Sequence, residues 1–156
     1  MKVEFKTWPA FTSVGLKQRA SGGERLGELW GRFVPRMGEV PHQTGSDEAY
    51  GLMDNFELDK DGNTLGFDYL AALPVTEVDE LPESMESWVV PEGFYAALTV
   101  RFGELMDGFD YLAHTWLPES GYEYNFDLPE IEYYPPGFNP DDERATVEIL
   151  MPVREK

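Results

Sequence analysis

Glu132 and the aromatic residues around it are the part of the chain best equipped for chemistry. The run Glu130-Ile131-Glu132-Tyr133-Tyr134 alternates as a strand does, which puts Glu132 and Tyr134 on one sheet face and Ile131 and Tyr133 on the other. A carboxylate beside aromatic rings is what a pocket for an organic cation requires. The rings supply apolar area and attract positive charge through their quadrupoles, and the carboxylate is costly to bury unless a cation joins it. The same residues also suit an ordinary strand, with a solvated Glu and Tyr-Tyr as filling. From this stretch alone both readings stand.

The elements that would position Glu132 can be read from periodicity. Gly103 to Leu117 is expected to be a helix. Leu105, Phe109, Leu112 and Trp116 fall on one stripe, and Pro118 and Gly121 end it. An earlier helix is expected to open at Ser21-Gly22-Gly23, with Ser21 and Glu24 forming a capping box. Its apolar stripe is Leu26, Leu29, Trp30, Phe33, Val34 and Met37, broad enough to pack on a sheet.

The rest reads as strands and turns. Val3 to Lys17 is extended with a break at Trp8-Pro9. Val40 to Glu48 is a loop in which His42 is solvated. Ala49 to Leu58 is extended, with Tyr50, Leu52 and Phe56 on one face. Asp59 to Asn63 is a turn; it lacks the ligand spacing of a calcium loop, so no metal is expected there. Leu65 to Val75 alternates Phe67, Tyr69, Ala71, Leu73 and Val75 on one face. Trp88 to Phe102 is extended around a turn or bulge at Pro91-Glu92-Gly93. The last strand runs from Ala145 to Val153, with the terminal residues outside its pattern. The hexapeptide GFDYLA occurs at Gly66–Ala71 and Gly108–Ala113. Context assigns strand to the first copy and helix to the second. The coarser repeat is strand, helix, strand, strand, twice over. The acidic stretch 77–86 joins halves of about 1–76 and 87–156 within one expected domain, 1–156, because neither half would bury much alone.

The run Trp116-Leu117-Pro118-Glu119-Ser120-Gly121-Tyr122-Glu123, with Ile131-Glu132-Tyr133-Tyr134 and the closing Val147-Glu148-Ile149-Leu150-Met151-Pro152-Val153, resembles the GyrI-like family. That family includes effector-binding domains of AraC-type and MerR-type multidrug regulators as well as stand-alone ligand-binding proteins. The resemblance covers nearly the whole chain, and WLPESGYE is its most specific part. It implies an α+β fold of two pseudo-symmetric β-α-β-β halves, an antiparallel sheet with two helices packed on one side, and a ligand cleft between the halves. It also implies that Glu132 is the acidic residue set against cationic ligands. Tyr134 shares its face, Tyr111 and Trp116 come from the helix feeding it, Phe33 and Trp30 come from the other helix, and Tyr50 and Tyr69 come from the equivalent half. The expected function is stand-alone binding of a small, lipophilic, cationic organic molecule. Two alternatives come with the family. One is a hydrolase of cyclopropane-bearing compounds using Glu132 with Tyr111 or Tyr134; the other is an acidic gyrase-inhibiting protein.

Composition narrows the field. With 156 residues, 42% hydrophobic and 14% aromatic, the chain suits a globular protein. The 12 Lys+Arg against 30 Asp+Glu give a formal charge of −18, a surface that repels nucleic acid and anionic membrane and gathers cations. Solubility accounts for much of that charge. Zero Cys removes disulfides and thiolate chemistry and fits a cytoplasmic setting, and no apolar run is long enough for a membrane span. No nucleophile elbow, zinc motif or nucleotide-binding glycine pattern is present, so no catalytic residue and no cofactor are expected. His114 reads as helix surface. No helix-turn-helix precedes the resemblance, so direct DNA binding is not expected, and a separate protein partner is left open.

Overall fold

The computed structural model describes residues 1–22 and 25–156. Among them, β1 (Glu4–Trp8), β2 (Phe11–Ala20), α1 (Leu26–Phe33), β3 (Ala49–Leu58) and β4 (Thr64–Val75) make the first half. The second half is β5 (Met85–Val90), β6 (Gly93–Arg101), α2 (Leu105–Asp110), β7 (Tyr122–Tyr124), β8 (Glu130–Tyr134) and β9 (Thr146–Glu155). The strands form a mostly antiparallel sheet in the order β1-β6-β9-β8-β3-β4-β2-β5, with β7 added to the far end of β9. The architecture is thus α+β, with helices serving one face of the sheet.

One register explains how the sheet curls. Glu4 pairs with Ala97 and Trp8 with Gly93; beyond the prolines, Phe11 pairs with Val90 and Leu16 with Met85. The pairing continues across Pro9-Ala10 on one side and Pro91-Glu92 on the other. Each proline lacks the N–H of a ladder donor and sits where the paired ribbon bends. The two ends of the strand path are therefore joined, and the halves meet again at the centre through β3 and β8, where Gly51 faces Glu132 and Tyr50 faces Tyr133.

Alternation along the strands divides the core. Tyr50, Leu52, Leu70, Ala72, Tyr95, Ala97, Ile131 and Leu150 pack together on the face away from the helices. On the helix face, Leu29 and Phe33 of α1 join Val14, Tyr69, Ala71 and Leu73. Leu105, Phe109, Leu112 and Trp116 join Ala96, Leu98, Ile149 and Met151. The apolar stripes expected from the sequence are the ones that dock, except for Val34, which is exposed at the start of the 3₁₀ segment, and the two copies of GFDYLA do adopt strand and helix respectively.

Several local expectations are corrected. The capping box is not one of them, because Glu24 lies outside the described residues. The helix starts at Leu26, after Arg25 in a left-handed conformation with φ 67° and no side-chain cap. It gives way after Phe33 to a 3₁₀ segment, Val34–Glu39, with Pro35 in its first turn. The second helix is a composite: a 3₁₀ turn at Phe102–Glu104, α2 proper, a π segment at Tyr111–Trp116, and a last α turn at Leu117–Glu119. Pro118 sits in the first positions of that last turn, directly after the π segment, instead of ending the helix. Gly121, at φ 76°, marks the end. Phe56 does not share the face of Tyr50 and Leu52. The β3–β4 register shifts between Asp54 and Glu57, with Asn55 at φ 54°, and this bulge turns Phe56 to the helix side. The last strand runs on to Glu155 because β7, which periodicity did not reveal, pairs with it.

Candidate functional site

Glu132 stands near the middle of the helix face, on β8, and is 4% exposed. Its Oε1 accepts two phenolic hydrogen bonds, from Tyr69 Oη at 2.6 Å and from Tyr134 Oη at 2.8 Å. Trp30 Nε1 donates in turn to Tyr69 Oη at 3.0 Å. The chain of donors thus runs from α1, through β4, to the carboxylate on β8. Among the described residues no Lys or Arg pairs with Glu132.

Two features of the sequence make this arrangement possible. Tyr69 and Glu132 reach each other because Gly51 lies between their strands. A Cβ at Gly51 would fall 2.1 Å from Tyr69 Oη and 2.6 Å from Glu132 Oε1. Tyr134 is two residues from Glu132 on a regular strand, so its ring stands beside the carboxylate on the same face.

Burial pushes the Glu132 carboxyl above its ordinary value, and the two phenol hydrogen bonds pull in the opposite direction. Burial, reinforced by the neighbouring carboxylate, holds the Tyr69 and Tyr134 hydroxyls well above the usual phenol value. Both phenols therefore remain donors across the physiological range.

The carboxylate lies on the wall of a cavity of about 800 Å³ between the helices of the two halves. Trp30 and Met37 come from the first half, Phe102 and Met106 from the second, and Tyr134 and Phe138 close the side nearest β8. The rings touch one another: Trp30 and Tyr134 have centroids 5.3 Å apart and cross at 63°, and Tyr134 and Phe138 are 5.0 Å apart at 74°. Phe102 meets Phe138 at 5.3 Å. Edge-to-face packing of this kind leaves ring faces free to line a hollow.

Of the residues singled out from the sequence, Glu132, Tyr134, Tyr69 and Trp30 are brought together on this cavity. Phe33 is fully buried behind Trp30, with ring centroids 6.0 Å apart, and supports the wall without forming it. Tyr50 lies on the opposite sheet face, stacked on Phe11 at 4.3 Å, because it is one residue out of phase with Gly51. Trp116 packs on Tyr122 and Phe5, and Tyr111 packs against the second helix's own core. Both sit on the π segment, and neither lines the cavity. Phe102, Phe138 and Gly51 were missed. An aromatic residue inside the Pro135-Pro136-Gly137 loop was an available signal for Phe138, whereas a glycine opposite a buried Glu is visible only once the register is known.

The chain matches the model of the GyrI-like small molecule binding domain over residues 1–154, and it belongs to that family. Among curated proteins it is 30% identical over 149 residues to the transcriptional regulator BrlR of Pseudomonas aeruginosa, covering 93% of this chain and 53% of BrlR. The chain thus spans about half the length of that relative. Among solved structures it superimposes on SAV2435 bound to tetraphenylphosphonium with a TM-score of 0.74 at 17% identity, over 99% of this chain and 94% of that one. It also superimposes on EcmrR, solved in complex with DNA, with a TM-score of 0.72 at 16% identity, over 99% of this chain and 58% of EcmrR. These structural likenesses concern the fold. No helix among the described residues is long and apolar enough to cross a membrane.

Proposed function

We propose that the protein binds small, lipophilic organic cations in the cavity between its helices, with Glu132 as the countercharge. The observation that carries this reading is a carboxylate 4% exposed, held by two phenols and paired with no Lys or Arg among the described residues, on the wall of an aromatic hollow. An ionised carboxylate in such a place is expensive, and a cation in the cavity offsets the expense. Trp30, Tyr134, Phe102 and Phe138 present ring area to the same guest, which suits charge spread over a hydrophobic body. The structural relative SAV2435, bound to tetraphenylphosphonium, a cation of this description, makes that compound the natural first probe.

Titration with tetraphenylphosphonium, read by tryptophan fluorescence, tests the reading. Wild type binds, and Glu132→Gln, which keeps shape and removes charge, binds on the order of 30-fold more weakly, about 2 kcal/mol. Equal affinity of the two proteins contradicts the pairing of charges.

A further inference from the structure

β8 carries a second buried carboxyl. Glu130 lies two residues before Glu132 on the same face of the strand and is 7% exposed. It is not among the residues that line the cavity. Tyr124 Oη donates to its Oε1 at 3.4 Å, and its Oε2 is buried without a hydrogen-bond partner. The pairing of β8 with β3 sets Met53 opposite it. Tyr124 itself meets Phe126 at 4.5 Å with rings tilted by 40° and Phe56 edge-to-face at 5.9 Å, so its ring neighbours are apolar.

We propose that Glu130 is a specificity-determining residue behind the cavity: its ionisation adds a second negative charge that strengthens the hold on a cation it never touches. This inference rests on the reading of Glu132 as the countercharge. Same-face neighbours on a strand are about 7 Å apart, so a cation paired with Glu132 stands on the order of 10 Å from Glu130, and across a poorly screened interior a charge at that range changes an equilibrium by about tenfold. Glu130 is reached by charge and not by contact, so it favours a cation and is indifferent to a neutral guest of the same shape.

The groups facing this pair define the titration. Burial first, and then the charge of Glu132, raise the Glu130 carboxyl to about 8, while the Tyr124 hydroxyl opposes the rise. Tyr69 of β4, one strand beyond β3, and Tyr134 of β8 itself are bonded to Glu132. Beyond Tyr124 of β7 stand Tyr95 of β6 and Asp54 of β3, both of which act on the Tyr124 hydroxyl. The phenols are all raised, so they stay neutral while the two carboxyls lose their protons. The pair therefore sheds its protons in two steps that belong to it jointly.

The experiment measures the affinity for tetraphenylphosphonium from pH 5 to pH 9.5 in wild type, Glu130→Gln and Glu132→Gln, with neutral triphenylphosphine oxide alongside. Wild type gains affinity in two steps, the upper one near pH 8 and about tenfold. Glu130→Gln, in which Gln imitates the protonated acid, matches wild type below about pH 7 and lacks the upper step. The neutral probe shows no upper step in either protein. A Glu130→Gln profile that overlays the wild type at every pH, or an upper step shared by the neutral probe, overturns the inference. Wild type also supplies a readout independent of the variant: calorimetry near pH 8 in buffers of different ionisation heat shows proton release on binding the cation, and its absence is equally contrary. Failure of Glu132→Gln to weaken binding at any pH is a different outcome, which removes the countercharge reading itself.

Discussion

Gly51 decides whether the site can exist. The hydroxyl of Tyr69 and the carboxylate of Glu132 occupy the space a side chain at that position would need. In Gly51→Ala the methyl group displaces both oxygens, which breaks the 2.6 Å hydrogen bond and leaves buried polar groups without partners. We expect a loss of roughly 2–4 kcal/mol in stability by chemical denaturation, together with loss of cation binding. Glu130 and Glu132 set a pH dependence of their own. Both bind a proton more tightly in the fold than in the unfolded chain, so the folded form is favoured below the unfolded carboxyl value, and that advantage is lost as pH rises through the folded value. For Glu130 the window runs from about 4.5 to about 8. Melting temperature should therefore fall as pH rises through that window, and Glu130→Gln should flatten the decline. A wild-type melting temperature that rises steadily from pH 5 to pH 8 would conflict with a carboxyl buried in this way.

At the scale of elements, α1 is the wall that matters most. Phe33 is fully buried beneath Trp30, and Trp30 holds Tyr69 by a hydrogen bond. Phe33→Ala should cost about 3–5 kcal/mol and weaken cation binding, because Trp30 loses its support. Trp116→Ala tests the contrast. Trp116 packs on Tyr122 and Phe5, away from the cavity. Its loss should lower the melting temperature and leave the affinity for tetraphenylphosphonium within about twofold of wild type. These contrasts show what periodicity could and could not tell. Alternation placed Glu132 and Tyr134 on one face because β8 is regular, and it placed the stripe of the second helix against the sheet because apolar spacing survives the change from α to π. It misplaced Phe56 because a bulge adds a residue that no hydrophobic pattern announces. It put Tyr50 on the site by analogy between halves, although its neighbour Gly51 is the residue in phase with Glu132. Phe102 read as the end of the extended stretch from Trp88 and instead opens a 3₁₀ turn, where it meets Phe138.

At the scale of the whole molecule, the curled sheet explains why a cavity forms where it does. One register runs through both bent ribbons, and the β3–β8 pairing closes the centre. The two helices dock on separate apolar clusters of the same face, and the space left between them falls over Gly51 and Glu132. Around this hollow the chain carries a formal charge of −18. Such a field draws cations inward and is screened by salt. The association rate for tetraphenylphosphonium should fall severalfold between about 10 mM and 500 mM salt, and it should do so in Glu132→Gln as well, because steering belongs to the surface and not to the buried carboxylate. Stopped-flow fluorescence separates the two, since Glu132→Gln should act chiefly on the dissociation rate.

The account depends on where a bound cation sits. The most direct measurement is a crystal structure of the protein with tetraphenylphosphonium at about pH 8. We predict the phosphorus within about 6 Å of the Glu132 carboxylate, with phenyl groups against Trp30, Tyr134 and Phe138. A cation bound elsewhere on the acidic surface, with the cavity left to solvent and the Glu132 hydrogen bonds unchanged, would contradict it.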